Sequence, residues 1–165
     1  MAHTTAQASQ HAVPAGSSRV LLVEDQPEVR RVVRRNLAKA GYEVVEAWNG
    51  RVAVELARES SFDLVISDVR MPDMSGLELL TALREHDPDL PVVLTSGWPG
   101  PSDTLDAEAI GAFAYLQKPV PFDVMLDAAR SAIEQRHALL ASREQFEPFA
   151  SMERLRVARS GDSHQ

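Results

Sequence analysis

Three short apolar runs in this chain each end on side chains suited to handling phosphate. Val20 to Val23 runs into Glu24 and Asp25, Leu64 to Ile66 into Ser67 and Asp68, and Val92 to Leu94 into Thr95 and Ser96. Further on, Phe113 to Leu116 leads to Lys118 and Pro119. Three carboxylates brought to one place repel one another unless they are protonated or bridged by a cation. Hard divalent ions take oxygen ligands, and Mg²⁺ in particular uses one or two carboxylates together with waters and phosphate oxygens. An ammonium such as that of Lys118 pairs with a carboxylate or binds phosphoryl oxygens as a point charge. The chain has one other lysine, Lys39, which sets Lys118 apart from an ordinary solvated surface residue. Thr95 could donate its hydroxyl to a phosphate oxygen, although a β-branched residue in a strand needs no such role. Taken singly, each acid reads equally well as a solvated strand end. The set together is what asks for an explanation.

These residues converge only if the apolar runs are neighbouring strands. A buried parallel strand reads as a short aliphatic run bounded by turn residues. Pro27 opens a helix that carries Val29, Val33 and Leu37 inward and stops at Gly41. Glu43 to Ala47 is a second strand, and Asn49-Gly50 leads into a helix with Val52, Leu56 and Ala57 inward. After Asp68 comes the loop Arg70 to Gly76, then a helix with Leu77, Leu80 and Leu83, ending at Asp87-Pro88. The breakers between Gly97 and Pro101 place the start of the next helix near Ser102 or Asp103. A fifth strand spans Phe113 to Leu116, and a last helix starts near Phe122. Strand and helix alternate five times, so the expected fold is α/β: a doubly wound (βα)5 five-stranded parallel sheet in the flavodoxin-like order 2-1-3-4-5. In that order the first and third strands are neighbours, and the switch point between them holds Glu24, Asp25 and Asp68.

Composition narrows the partners. The chain has 165 residues, a formal charge of -7 and no cysteine. One domain with an extension fits that length. The negative balance argues against wholesale nucleic-acid binding, and the missing cysteines exclude disulfides, thiolate zinc sites and cysteine nucleophiles. No segment reads as a secretory signal or a membrane span, so the expected setting is cytoplasmic and without membrane contact. Residues 1–18 read as a disordered leader, 19–138 as the globular domain, and 139–165 as a helical extension and disordered tail.

With these residues in order, the chain resembles a response-regulator receiver domain, the phosphoacceptor module of two-component signalling. The resemblance rests on Val20 to Gln26, on Asp68-Val69-Arg70-Met71-Pro72-Asp73-Met74-Ser75-Gly76, on Thr95-Ser96-Gly97, and on Gly111 to Pro119. It implies that Asp68 takes a phosphoryl group from a histidine kinase or a histidine phosphotransfer protein. It implies one Mg²⁺, bound directly by Asp25, Asp68 and the backbone carbonyl of Arg70, with Glu24 acting through water. Lys118 would stabilise the transferring group. Thr95 would then move to hydrogen-bond the acyl phosphate, and Tyr115 would rotate inward behind it. By the same resemblance the chain is not an enzyme in the ordinary sense, but assists its own phosphorylation and dephosphorylation.

Two other readings compete. A haloacid-dehalogenase-like Mg²⁺-dependent phosphatase would need a second aspartate two positions after the nucleophile, where this chain has Arg70, which cannot donate a proton at neutral pH. A pseudo-receiver scaffold that is never phosphorylated would not need the full acceptor set. Output is open. The segment after the last domain helix is too short for an effector or a DNA-binding domain. Ser131 to Phe146 continues the helix until Pro148 interrupts it, and Phe149, Met152 and Leu155 suggest a second amphipathic piece. That tail packs loosely on the domain, serves as a partner-binding or homodimer-forming helix, or links to an effector domain absent from this chain; otherwise output runs through contact with a downstream protein effector that the residues do not name. Arg30, Arg31, Arg34 and Arg35 lie on the outer side of the first helix, either simply solvated or as a basic patch that steers an acidic phosphodonor.

Overall fold

The computed structural model describes residues 17–97 and 101–160, and the side chains of 17–97 and 104–145. The elements run β1 (Arg19–Val23), α1 (Pro27–Lys39), β2 (Glu43–Ala47), α2 (Gly50–Glu59), β3 (Leu64–Asp68), α3 (Gly76–His86), β4 (Val92–Ser96), α4 (Pro101–Ile110), β5 (Ala114–Gln117) and α5 (Phe122–Ser160). All strand pairs are parallel, in the order β2-β1-β3-β4-β5. The expected doubly wound α/β sheet is the observed one.

The two-residue period of a strand sorts the core into two layers. Leu21, Val23, Val65, Val92 and Leu94 face α2, α3 and α4, where Ala53, Ala57, Leu79, Leu80, Leu83 and Ala107 meet them. Val20, Leu22, Leu64, Ile66 and Val93 face α1 and α5, against Leu37, Met125, Ala129, Ala132 and Ile133. β3 and β4 are buried at every position because helices cover both faces. Burial of a Leu or Ile side chain contributes roughly 1.5–3 kcal/mol, so these central runs are the main source of stability.

Several helix ends follow local chemistry. Asn49 caps α2 by accepting from the Val52 N–H, and Ser75 with Glu78 forms a reciprocal capping box at the start of α3. Gly41, at φ +98°, turns the chain out of α1 into β2, a conformation that costs other residues a Cβ clash. Within α2 the buried positions are Gly50, Ala53 and Ala57, with Val52 and Leu56 half-buried beside them. In α3 they are Gly76, Leu79, Leu80 and Leu83, with Leu77 at the margin.

Two expectations are corrected. α4 starts at Pro101 rather than Ser102 or Asp103, since a proline suits the first helical position, where its missing N–H would have no helical partner. Residues 98–100 lie outside the described residues. α5 does not end at Pro148 but runs unbroken from Phe122 to Ser160. Proline removes one i→i−4 hydrogen bond, and the turns on either side carry the helix across that gap. Residues 1–16 of the expected 1–18 leader and the last five residues also lie outside what the structure describes, whereas Ser18 is buried and its carbonyl accepts the Glu43 N–H.

Candidate functional site

Strand register brings the chemistry together. Asp68 ends β3 directly beside Thr95 of β4, and Val23, the last residue of β1, pairs with Ser67. Glu24 and Asp25 therefore leave β1 next to Asp68. One carboxylate oxygen from each of Glu24, Asp25 and Asp68 lies within 4.8 Å of the others. Lys118, which follows β5, reaches over this group: its Nζ donates to Glu24 Oε2 and to Asp68 Oδ2, each at 3.1 Å. The other oxygen of Asp68, Oδ1, accepts the Arg70 N–H at 3.2 Å. Asp68 is 6% exposed and Glu24 4%, so both carboxylates are held in a weakly solvating pocket.

Electrostatics in this pocket are strained toward a cation. Burial pushes the Glu24 carboxyl above its ordinary value, and hydrogen bonds from the Gln26 N–H and Lys118 offset only part of that. Burial alone would lower the Lys118 ammonium, but the hydrogen bonds to Asp68 and Glu24 outweigh it and hold Lys118 above the usual lysine range. One ammonium faces three carboxylates. Asp25 Oδ1 is buried with no protein donor. An all-oxygen donor set with an orphaned carboxylate oxygen fits a hard divalent ion better than it fits a soft one.

The remaining expected residues fall around this centre. Thr95 is buried, and among the described residues its hydroxyl makes only a long 3.5 Å contact to the Ser67 carbonyl. Tyr115 packs against the layer facing α2–α4, with its hydroxyl buried and without a protein partner. Arg70 is exposed at the rim, and its backbone N–H is the part engaged with Asp68. Gly76 proves essential in a way its place in the loop did not explain. A Cβ there would lie 2.4 Å from the Asp68 carbonyl oxygen, while the Gly76 N–H donates to the Val69 carbonyl at 2.8 Å. The loop thus folds back onto the backbone of Asp68 itself.

Arg30 is a correction. Expected on the outer face of α1, it instead turns under the acid pair and donates to the Glu24 carbonyl at 2.7 Å, with Glu46 as its ion-pair partner at 3.6 Å. Arg34 also pairs with Glu46 but stays exposed, as do Arg31 and Arg35. The spacing of Arg30 six residues after Glu24, one turn into a helix that starts beside it, was the available signal.

The comparisons with known proteins agree with this geometry. The family profile described as response regulator receiver domain matches residues 20–130. The chain belongs to the response-regulator receiver family. Among curated relatives, the C4-dicarboxylate transport transcriptional regulatory protein DctD of Pseudomonas aeruginosa is 37% identical over 126 residues, which is 76% of this chain and 27% of that protein. The transcriptional regulatory protein KdpE of Mycobacterium tuberculosis is 37% identical over 119 residues, 72% of this chain and 52% of that protein. Among solved structures, the chemotaxis protein CheY4 of Vibrio cholerae is 33% identical with a TM-score of 0.68, covering 71% of this chain and 99% of that one. This receiver chain thus spans about a quarter to a half of the length of these two regulators. No helix among its described residues is long and apolar enough to cross a membrane.

Proposed function

We propose that this receiver accepts a phosphoryl group on Asp68 from the phosphohistidine of a histidine kinase or phosphotransfer protein, in a cytoplasmic setting. The observation that carries the reading is the position of Lys118, hydrogen-bonded at once to Glu24 and Asp68 where three carboxylates meet. A carboxylate oxygen of Asp68 attacks phosphorus in line. The P–N bond to the donor imidazole breaks, an acyl phosphate forms, and the imidazole leaves with the bonding electron pair and takes a proton. Such a transfer needs positioning and charge neutralisation more than covalent chemistry from the protein. The Arg70 N–H and Lys118 orient the two oxygens of Asp68, and Lys118 moves part of its bonding to the incoming phosphoryl oxygens.

Asp25, Asp68 and the Arg70 carbonyl would hold Mg²⁺, with Glu24 acting through water. When bound, that ion supplies the positive charge that lets an anionic carboxylate approach an anionic phosphoryl group. Thr95, tied to the Ser67 carbonyl by a long contact, turns its hydroxyl to the acyl phosphate, and Tyr115 follows behind it. That movement shifts the population of a binding face used by a downstream protein. Incubation with acetyl phosphate and Mg²⁺, read by phosphate-affinity electrophoresis, should shift the wild type and leave Asp68→Ala unshifted. An unshifted wild type would instead favour the pseudo-receiver scaffold.

A further inference from the structure

The opposite end of the sheet holds a second polar pocket. It lies where the chain enters β4 and β5, has a volume of about 350 Å³, and is walled by α3, the α3–β4 loop, the turn at Gly111–Phe113 and α5. Arg84 from α3 and Arg136 from α5 both line it. Arg136 is 8% exposed, an unusual depth for a guanidinium. Its Nη2 donates to Asp87 Oδ2 at 2.8 Å, but Nε and Nη1 are buried with no protein acceptor. Arg84 donates through its two terminal nitrogens to the Pro88 and Gly111 carbonyls, and its Nε is likewise buried without an acceptor.

Three guanidinium nitrogens on two arginines that line one pocket are therefore left without an acceptor among the described residues. Leaving buried charged donors unsatisfied is costly. The nearby carboxylates do not meet the need. Asp87 is engaged by Arg136, and Asp89 is engaged by Arg143 from further along α5. Counting Arg84, Arg136 and Arg143 against Asp87 and Asp89, one positive charge remains. Burial also draws the Arg84 guanidinium below its ordinary value, with Asp87 and Asp89 opposing that only in part.

We propose that this pocket binds a small oxyanion, a phosphate or carboxylate group held jointly by the spare N–H groups of Arg84 and Arg136. Planar guanidinium forks match the paired oxygens of such groups, and two forks from separate elements would grip one anion from two sides. The bound anion would join α3 to α5 just before Leu139, in the stretch from His137 to Glu144 where every residue of α5 is exposed. Nothing in this pocket overlaps the Asp68 end, so the two sites are separable by mutation.

The test is a titration of the full chain with inorganic phosphate in Mg²⁺-free buffer at constant ionic strength, followed by ¹H–¹⁵N NMR. Saturable shifts are expected at the amides of Gly111, Ala112, Phe113 and Leu139, with an apparent Kd of about 1 mM or tighter. Arg84→Gln and Arg136→Gln should each weaken binding about tenfold or more, as loss of a charge-assisted hydrogen bond predicts. Lys118→Ala should leave these shifts unchanged. Arg136→Lys keeps the charge without the fork, so it should fold and still bind more weakly than wild type. A parallel titration with citrate identifies whether phosphate or carboxylate is preferred, and binding of either supports the site. Absence of saturable shifts with both anions, shifts confined to residues around Asp68 and Lys118, or binding indifferent to the arginine substitutions would overturn it.

Discussion

The two ends of one sheet carry opposite chemistry. Where the strands finish, carboxylates crowd around a single lysine; where they begin, three arginines, one of them buried, face two aspartates. At the first end each functional side chain sits on or next to a strand terminus, and register alone aligns it with its neighbours. At the second end the groups come from a helix, a loop and a distant second helix, and only the packing of α5 against the sheet brings them together. A parallel sheet thus produces one site almost automatically, and leaves the other to whichever helices happen to cover its starting edge.

The comparison can be broken most sharply at the carboxylate end. Asp68→Ala should abolish labelling by acetyl phosphate while the far-UV circular dichroism stays native. Lys118→Ala should slow the same labelling by about 10²- to 10³-fold, the scale for losing one preorganised charge-stabilising donor. If both substitutions were silent while changes at Arg136 were not, the phosphoacceptor would have been placed at the wrong edge of the sheet.

Gly76→Ala comes next. It drives a methyl group against the Asp68 carbonyl and should destabilise the fold by about 1–3 kcal/mol in urea unfolding, slowing labelling at the same time. At the other end, Asp87→Asn should cost about 1.5–3 kcal/mol or less by the same measurement and leave labelling intact, because Arg136 loses a partly solvated charged acceptor.

Acidification separates the two ends by sign. Burial would raise the Asp87 carboxyl, but the hydrogen bond and charge of Arg136 outweigh it and hold Asp87 below its ordinary value. Its contribution to stability is therefore present above that ordinary value and disappears as pH falls through the depressed one. The Glu24 carboxyl is raised, so the folded chain holds that proton more tightly than the unfolded chain does. The stability associated with Glu24 is fully present below its ordinary value of 4.5 and is lost as pH rises through the raised one. Protons then compete with Mg²⁺ at Glu24 at a higher pH than at an ordinary glutamate. Apparent Mg²⁺ affinity, followed by NMR shifts near Asp25, should accordingly begin to fall while the pH is still above 4.5. A midpoint at or below that value would remove the burial argument for Glu24.

Much of this was legible beforehand because strand periodicity, helix breakers and strand-end residues are local signals. Val20 to Val23, Leu64 to Asp68 and Val92 to Ser96 announce buried parallel strands by their own composition, and Gly41 and Asn49 mark where helices stop or start. Pro148 misled because a single missing N–H is a local defect, whereas the persistence of a helix depends on the turns around it. Arg30 misled because four arginines in one helix look alike until the helix axis is placed.

The sequence by itself determined which side chains finish each strand and so which chemistry is available: three acids, a hydroxyl and an amine in an α/β order. Only the tertiary structure decided that Lys118 is shared between Glu24 and Asp68, 94 and 50 residues away, and that Arg136 reaches Asp87 across 49 residues. The reason is geometric. A repeat of two or 3.6 residues is written into neighbouring positions, but the distance between two charges from different elements is set by strand register and helix placement, which no single segment encodes.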